Sequence, residues 1–330
     1  MKKKTVAVFN DTRRTSHYGC EFVMSTLIAE LQARDIEPAF FWPMGFDWRG
    51  NDTVEKQLAT VDGIIVNGEG SIHHSNENDR AVYLSEIAKF FKSKKQIPCY
   101  LINSTVYELD ESVYENLKHF DHIYVRESMS KKLLEQHGIS ATYVPDLSFM
   151  ASRAASQKPR KNVLATDSVY SEITKGLIRI AGKKGWDYSK LVHSCRPTLK
   201  DHWPLKEYAR RHLKWVYASL VGKNTRNRYS FLDYLSSHEL LCTGRFHAVT
   251  LALATHTPFL AVESNTPKIS YLVEDVFGVT DRVANLTVIE KISDPSQFKW
   301  SADERTRVNN YLDQAHDGIQ AMFNKIAATI

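Results

Sequence analysis

The sequence is poor in cysteine and has no long apolar segment. Its 330 residues include four cysteines that lie far apart and form no CxxC pair: Cys20, Cys99, Cys195 and Cys242. This spacing indicates neither a disulfide framework nor a cysteine zinc site, so we expect a reducing compartment. No stretch approaches the ~20 apolar residues of a membrane-spanning helix. The apolar run at 6–9 is too short for a signal peptide, and we expect a cytoplasmic protein.

The chain also lacks a strong charge of either sign. A net charge of +5 favours anionic partners in general. Because the sequence carries no fingerprint of a nucleic-acid-binding fold, we expect no nucleic-acid partner. With 43% hydrophobic and 25% charged residues, the composition is that of a globular protein. The length fits two domains of roughly 150 residues each.

Short apolar runs alternate with amphipathic segments through both halves of the chain. In the first half we predict strands at 5–9, 39–42, 63–66, 98–103, 122–126 and 142–144. In the second half we predict them at 162–166, 190–193, 239–242 and 259–262. Apolar strands that are each followed by a helix indicate a parallel sheet covered on both faces.

The polar stretch at 151–161 interrupts this alternation and is predicted to be a linker. It separates an N-terminal domain at 1–150 from a C-terminal domain at 162–330, which a long helix at 302–328 closes. The predicted fold class is therefore α/β, with two Rossmann-like doubly wound domains that we expect to face each other across a cleft. Open parallel sheets bind ligands outside the carboxyl ends of their strands, so candidate residues follow the strands.

In the first half, this rule selects Asp11 and the segment 66-VNGEGSIHHSNEN-78. We expect Gly68 and Gly70 to turn the chain sharply off its strand and to aim Glu69 into the cleft, where its carboxylate accepts a proton from a sugar hydroxyl. The structural alternative is that Glu69 caps a helix or pairs with an arginine.

The same segment supplies candidate acceptor-binding residues: Asn67, Gly68, Gly70, His73 and His74. The side chains of adjacent histidines diverge on a regular element, and no third metal ligand stands at a recognisable spacing. We therefore predict no metal site. Hydrogen bonding to substrate and polar packing are the two interpretations of the histidine pair that remain.

In the second half, the rule selects the segment 240-LLCTGRFHAVTLALATHTPFLAVESNTPKISYL-272. Gly244 is predicted to turn the chain, with Arg245 and His247 at a helix N-terminus. A guanidinium, an imidazole and unsatisfied backbone N–H groups at one point favour anion binding, and the histidine can donate a proton. The alternative is an arginine salt bridge beside a histidine that merely begins the helix.

Two further segments carry basic residues. Arg126 ends a predicted strand, where a second guanidinium at the anion site and a structural role are equally consistent with the sequence. The segment 205–229 interleaves basic and aromatic residues, a pattern that fits contact with an anionic membrane surface. A solvated helix explains the same pattern.

The chain resembles the polysaccharide pyruvyl transferase family. The motifs that carry the resemblance are 122-HIYVRESMSKKLL-134, 144-VPDLSF-149 and 243-TGRFHAVTLALATHTPFLAV-262, which lie in both halves in the family's order. The resemblance implies a GT-B-like fold of two Rossmann-like domains. It also implies transfer of an enolpyruvyl unit from phosphoenolpyruvate to a sugar as a ketal.

By this resemblance, Arg245 and Arg126 contact the donor, His247 is the general acid, and Asp146 is structural. The sequence departs from the family pattern at Phe246, at Gly68-Glu69-Gly70, and at 17-HYGCE-21 in place of an Asn-x-Gly-Asp motif. The implied reaction uses phosphoenolpyruvate as donor, Glu69 or Asp11 as base, and neither cofactor nor metal. The expected acceptor is a sugar or a lipid-linked oligosaccharide of a surface polysaccharide, modified in the cytoplasm or at the inner face of the membrane.

Two other functions fit the same residues. In a GT-B glycosyltransferase that uses a CMP-, UDP- or GDP-sugar, Lys268 joins the anion site and Glu263 binds the ribose. Asn265 is a further donor-binding residue, and Glu69 is the base. In a non-catalytic module that binds a sugar or nucleotide, His247 is dispensable. Binding of phosphoenolpyruvate or of a nucleotide sugar distinguishes a pyruvyl transferase from a glycosyltransferase. Replacement of His247 leaves the function of a non-catalytic module intact.

Overall fold

The computed structural model describes residues 3–152, 159–194, 196–197, 205–221 and 226–330. It is a mixed α/β structure whose two sheets are parallel throughout. The chain folds into two compact units. Unit 1 comprises Met1–Arg14, Thr26–Leu147 and Gln314–Ile330, and unit 2 comprises Thr15–Ser25 and Ser148–Asp313.

Unit 1 contains a six-stranded sheet in the order β2-β1-β3-β4-β5-β6. Its strands are β1 (Lys4–Asp11), β2 (Ile36–Pro43), β3 (Gly63–His73), β4 (Cys99–Tyr107), β5 (His122–Val125) and β6 (Thr142–Tyr143). The central strands are buried along most of their length, as expected for apolar runs covered by helices on both faces. The helices are α2 (Asp52–Leu58), α3 (Asp79–Lys92), α4 (Glu111–Leu117) and α5 (Ser128–Gln136).

Unit 2 contains a four-stranded sheet in the order β10-β9-β7-β8. Its strands are β7 (Val163–Ser168), β8 (Asp187–Tyr188), β9 (Leu240–Gly244) and β10 (Phe259–Ala261). Its helices are α6 (Ser171–Lys184), α7 (Leu205–Leu220), α8 (Arg228–Ser236), α9 (Phe246–Ala254), α10 (Lys268–Phe277) and α11 (Leu286–Lys291). α6 and α10 end at Gly185 and Gly278, whose left-handed conformation suits glycine at a helix C-terminus.

The first and last helices explain why each unit takes residues from distant parts of the sequence. α1 (Tyr18–Gln32) begins in unit 2, where the ring of Tyr18 stacks on His193 at 4.0 Å and on Phe231 at 4.1 Å between centroids. α12 (Ala302–Thr329) is the predicted closing helix. Its C-terminal part lies in unit 1, where Gln320 accepts a hydrogen bond from Arg34 at 2.7 Å. The predicted domain bounds of 1–150 and 162–330 follow the sequence order, so they place the beginning of α1 in the first domain and the end of α12 in the second.

Two predicted segments have a different outcome. The segment 190–193 is not a strand; its only sheet-like contact in the described structure is an isolated antiparallel bridge between His17 and Val192. The predicted linker at 151–161 includes residues 153–158, which lie outside the described residues. Among the described residues, no helix is both long enough and apolar enough to cross a membrane.

Candidate active site

Three neighbouring strands of unit 1 each contain a residue with strained backbone at or beyond the middle of the strand. Asn10 in β1, Glu69 in β3 and Asn103 in β4 have φ values of 62°, 41° and 56°. Non-glycine residues seldom adopt this left-handed region, and such residues concentrate at functional sites. The side chains of all three are buried. The backbone strain near the carboxyl edge of this sheet therefore makes the edge a candidate functional site.

The carboxylate of Glu69 is buried but hydrogen-bonded. Its Oε1 accepts from the Thr12 hydroxyl at 2.6 Å and from the Asn67 amide at 2.9 Å. Asn10 fixes the same strand end, because its amide donates to the Asn67 carbonyl at 2.6 Å. Of the two structural alternatives, proximity to an arginine is observed, because the Glu69 carboxylate helps to raise the pKa of Arg126. Thr12 and Asn67 thus hold the carboxylate at the sheet edge in a fixed orientation, as a general base requires.

The glycines beside Glu69 act differently from the prediction of a sharp turn. β3 does not stop at Val66 but continues to His73, with an irregular register between Glu69 and Ile72. Neither Gly68 nor Gly70 has a positive φ. Gly68 lies so close to Ser104 of β4 that an added Cβ would overlap the serine side chain. Gly68 is therefore required for close packing, and the positive φ of Glu69 provides the change of direction.

Asp11 is engaged by a neighbouring arginine. Both carboxylate oxygens accept from Arg13, at 2.8 Å from Nε and 2.7 Å from Nη2, and the pair is almost completely buried. The guanidinium also stacks on the Phe41 ring at 4.1 Å. This bidentate geometry makes Asp11 an anchor for Arg13 rather than the catalytic base that the sequence suggested.

The two histidines after Glu69 do not diverge. His74 has a φ of 48°, which departs from regular strand geometry and brings its Nδ1 to 2.7 Å from Nδ1 of His73. Its Nε2 lies 3.1 Å from the Glu108 carboxylate. The expectation of divergent side chains was wrong because it assumed a regular backbone. Binding of the acceptor by this pair stays a prediction.

Arg126 is buried inside unit 1, with 2% of its surface exposed. Its guanidinium lies 2.8 Å from Asp146 and 3.2 Å from Glu127. Burial opposes the charge, but Asp146 and Glu127 outweigh it and raise the pKa of Arg126. These contacts favour the structural role of Arg126, and its contact with the donor stays a prediction. Asp146 is also fully buried, which is consistent with the structural role that the resemblance implied.

In unit 2, β9 leads directly into α9 through Arg245. Gly244 belongs to the strand and lies opposite Ser168 of β7, so that an added Cβ would overlap the serine. Close packing, rather than a turn with positive φ, explains this glycine. Arg245 is the N-cap residue of α9 and retains 23% side-chain exposure.

The Asp167 carboxylate orients one edge of the Arg245 guanidinium, accepting from Nε at 2.9 Å and from Nη2 at 2.5 Å. Nη1 has no hydrogen-bond partner within the described part of the chain. The predicted salt bridge and the predicted anion site are therefore compatible, because a guanidinium can pair through one edge and bind an anion through the other.

His247 lies in the first turn of α9 beside the beginning of α1. Its Nδ1 is 4.0 Å from the Cys20 sulfur, and its ring centroid is 5.4 Å from that of His17. A Cβ added at Gly19 would overlap the Cβ, Cγ and Nδ1 of His247. Only glycine lets α1 approach the imidazole so closely, so the backbone of Gly19 fixes the position of His247.

Two titratable groups around this corner are perturbed. Burial lowers the pKa of His17 well below its usual value of 6.5, and His247 and Arg245 lower it further. Burial and the Asp167 carboxylate raise the pKa of Tyr188 to about 12, against the opposing effect of Arg245. At neutral pH, His17 and Tyr188 are therefore both neutral.

The residues after β10 have structural partners. The Glu263 carboxylate accepts from the backbone N–H groups of Ile269 at 3.2 Å and Ser270 at 2.9 Å, which caps the start of α10. Lys268 is buried and donates to Asn265 Oδ1 at 2.7 Å. Glu263 therefore caps this helix, and its suggested ribose contact stays a prediction. Lys268 and the partly exposed Asn265 bind each other.

The basic aromatic segment forms α7 over Leu205–Leu220. Leu213, Tyr217 and Leu220 are 70%, 60% and 81% exposed, respectively, and they lie on one side of the helix. Lys206, Arg210 and Lys214 are exposed beside them. Residues 222–225, which belong to the predicted segment, lie outside the described residues.

Solved structures define the class of the fold. UDP-GlcNAc 2-epimerase of Methanocaldococcus jannaschii aligns with a TM-score of 0.53 and 11% identity, over 94% of this chain and 99% of that one. An α,α-trehalose-phosphate synthase of Burkholderia vietnamiensis aligns with a TM-score of 0.51 and 11% identity, over 99% of this chain and 100% of that one. A UDP-glucosyltransferase of Polygonum tinctorium aligns with a TM-score of 0.51 and 10% identity, over 99% of this chain and 98% of that one. The fold is GT-B-like, as in these glycosyltransferases and epimerases.

The family model described as polysaccharide pyruvyl transferase matches residues 17–266. The chain therefore belongs to the polysaccharide pyruvyl transferase family and is a transferase. Family members act on polysaccharide acceptors. No curated protein sequence matches the chain.

Sequence reasoning did not identify Asp167 as a site residue. The signal for it is its position directly after the apolar run of the predicted strand at 162–166. Gly19 and Cys20 were noticed only as departures from a family motif. Their proximity to His247 joins positions more than 200 residues apart, which periodicity and spacing do not reveal.

Proposed function

We propose that this enzyme transfers a pyruvyl group from phosphoenolpyruvate to two hydroxyls of a sugar, with unit 2 as the donor side. The observation that carries the proposal is the corner where Arg245 and His247 begin α9. The guanidinium, held by Asp167 at 2.5 Å, and the N-terminal N–H groups of α9 form a site for a phosphate or carboxylate. A titratable imidazole lies two residues away.

The proposed chemistry needs one acid and one base. His247 protonates the methylene carbon of phosphoenolpyruvate, which makes C2 an oxocarbenium-like centre. A sugar hydroxyl attacks C2 and loses its proton, the C2–O bond to phosphate breaks, and a second hydroxyl closes the ketal. One hydroxyl proton restores the imidazolium, and the other leaves with inorganic phosphate. Arg245 stabilises the charge on the departing phosphate, where electrostatic stabilisation contributes most to the rate.

Unit 1 is proposed to bind the acceptor, with Glu69 as the general base. Its carboxylate is oriented by Thr12 and Asn67 and stands on strained backbone, which supports a functional role. His73 and His74 are proposed acceptor contacts. The acceptor is proposed to be a sugar unit of a surface polysaccharide, free or lipid-linked. The mechanism requires neither a cofactor nor a metal, because proton transfer and cationic side chains provide each step.

Donor binding tests this proposal without knowledge of the acceptor. The purified chain is heated with phosphoenolpyruvate, and separately with CMP-, UDP- and GDP-sugars, since a ligand raises the unfolding midpoint by mass action. We expect phosphoenolpyruvate to raise the midpoint of the wild type and of His316→Gln, a control in α12, but not that of Arg245→Ala. Turnover is followed as phosphate release with a panel of methyl hexopyranosides, and His247→Gln is expected to lower it ~10²–10⁴-fold.

Transfer from a nucleotide sugar is the alternative. The structural relatives include proteins whose names specify UDP or UDP-sugars, which motivates the nucleotide arms of the experiment. Capping of α10 by Glu263 argues against the ribose contact that this alternative used. Stabilisation by a nucleotide sugar alone, without a response to phosphoenolpyruvate, would replace the pyruvyl proposal with this one.

Peripheral contact with an anionic membrane is a separate proposal, supported by α7. Its exposed apolar side chains and adjacent cationic residues fit the interface of an anionic bilayer. We expect the protein to sediment with phosphatidylglycerol vesicles but not with phosphatidylcholine vesicles. Leu213→Glu combined with Leu220→Glu should abolish this binding, whereas Val279→Glu, at another exposed apolar residue, should not. Equal binding of both variants would eliminate α7 as the contact.

A further inference from the structure

A cluster of two histidines and one cysteine lies within unit 2, next to the corner described above. His17, Cys20 and His247 each direct one ligand atom, an imidazole nitrogen or the thiol sulfur, to within 4.8 Å of the other two. All three residues are buried, with 9%, 9% and 7% of their surface exposed. A compact set of imidazole and thiolate donors is the combination that zinc prefers.

The backbone creates this cluster without strain at the ligands. His17 and Cys20 stand three residues apart where α1 begins, a spacing that places two side chains on the same face of a helix. Gly19 between them allows α9 to approach, so that His247 completes the set. The three donors therefore come from two helix N-termini that the fold holds in contact.

One ring nitrogen among the three residues lacks a hydrogen bond in the described part of the chain. Nδ1 of His17 is buried and neither donates nor accepts a hydrogen bond within the described residues. A buried polar atom without a partner costs about 1–3 kcal/mol, and bound metal is one of the explanations for such an atom. This observation distinguishes the cluster from a chance meeting of side chains that satisfy one another.

We propose that His17, Cys20 and His247 form a binding site for Zn²⁺ with three protein ligands. Ligands of a tetrahedral zinc ion stand about 3.5 Å apart, given bonds of roughly 2.0–2.3 Å. The Cys20 sulfur and His247 Nδ1 are 4.0 Å apart, so small side-chain rotations bring them to that separation. The fourth position of the ion takes water or an anionic ligand, as in zinc sites with three protein ligands.

Zinc binding has a consequence for the transferase. A metal on Nδ1 of His247 prevents the ring from becoming an imidazolium, which is the form that donates a proton. Zinc is therefore an inhibitor that removes the general acid, a consequence that rests on the proposed function. The metal site itself does not depend on that function.

Cobalt provides a probe that needs no substrate. The full chain is treated with a chelator, desalted and titrated with Co²⁺, and zinc is then added in competition. We expect one equivalent of Co²⁺ to give a thiolate-to-cobalt charge-transfer band together with the visible bands of a tetrahedral site, and we expect Zn²⁺ to remove both. Cys20→Ala should abolish the charge-transfer band, and His17→Gln should weaken binding at least ~10-fold. Cys99→Ala, at a buried thiol of β4, should retain the wild-type spectrum.

The outcomes separate the site from its effect on catalysis. Absence of the band in the wild type, or its persistence in Cys20→Ala, overturns the site. If Cys20→Ala does not fold, as judged by circular dichroism without metal, His17→Gln decides, and unchanged affinity in that variant overturns the site as well. If the band appears and zinc does not slow phosphate release from phosphoenolpyruvate, the metal site stands and the proposed role of His247 falls.

Discussion

Gly19→Ala perturbs the candidate site through a single methyl group. The added Cβ would overlap three atoms of His247, so either α1 or the imidazole has to move. Overpacking of this kind costs about 1–3 kcal/mol, whereas alanine in place of glycine within a helix gains about 1 kcal/mol. We expect a net loss of stability of about 0–2 kcal/mol.

The effect of Gly19→Ala on catalysis should be larger than its effect on stability. Displacement of a catalytic group by 1 Å lowers the rate by about 10²-fold, and complete loss of a general acid lowers it ~10²–10⁴-fold. We therefore expect the phosphoenolpyruvate-dependent turnover to fall at least ~10²-fold while the protein remains folded. Phosphate release and thermal unfolding of the same preparation provide the two measurements.

Gly182→Ala is the matched control. Gly182 lies in α6, and a Cβ added there meets no atom within 4 Å. This variant should gain up to about 1 kcal/mol and retain wild-type turnover. The reasoning is refuted if Gly19→Ala also gains stability and retains activity, because His247 would then not depend on the approach of α1.

Three further predictions follow from the described contacts. Asp167→Asn should lower kcat/KM for phosphoenolpyruvate about 10–100-fold, measured by phosphate release, because the Arg245 guanidinium loses its charged anchor. Arg126→Leu should cost about 3–5 kcal/mol in urea unfolding, because two buried carboxylates lose their counter-charge. Glu304→Gln should destabilise the protein at neutral pH, with a thermal-midpoint difference from wild type that shrinks as the pH falls below the usual carboxyl value of 4.5.

The sign for Glu304 follows from its contacts. Burial opposes ionisation, but the Ser301 backbone N–H and the Arg282 guanidinium outweigh it and lower the pKa of Glu304. The unfolded chain then binds more protons, and the stabilisation is present above pH 4.5 and lost as the pH falls through the folded value. A midpoint difference that is independent of pH would contradict the assignment.

Controls for the other two variants lie nearby. Asp187→Asn changes the carboxylate that pairs with His238 and should leave turnover unchanged. Lys175→Ala removes an exposed ion pair and should barely alter unfolding, since surface pairs contribute little. An effect of Asp187→Asn equal to that of Asp167→Asn would show that the loss is not specific to Arg245.

The sequence was informative wherever local pattern determines structure. Apolar runs followed by helices predict two parallel sheets, and the alternation places Arg245 and His247 at the start of a helix after a strand. Both features depend on the periodicity of neighbouring residues and on the edge geometry of a parallel sheet. The family motifs added the reaction class, which the fold alone does not specify.

Errors arose where the outcome depends on a backbone conformation or on distant contacts. The divergence expected of His73 and His74 failed because His74 adopts a positive φ, which sequence spacing does not encode. For Arg126, the sequence left donor contact and a structural role open, because it does not show that Asp146 lies 2.8 Å from the guanidinium. The cluster around His247 joins helices from opposite ends of the match to the family, and only the fold brings them together.

Transfer in heavy water tests the central claim most directly. The wild type is incubated in D₂O with phosphoenolpyruvate and a methyl hexopyranoside, and the product is analysed by NMR and mass spectrometry. If an acid in exchange with solvent protonates the methylene carbon, the methyl group of the pyruvyl ketal carries one deuterium. The His247→Gln variant should form this ketal ~10²–10⁴-fold more slowly. Undiminished ketal formation by that variant would contradict the account. So would a product that carries an added sugar with the phosphoenolpyruvate unconsumed.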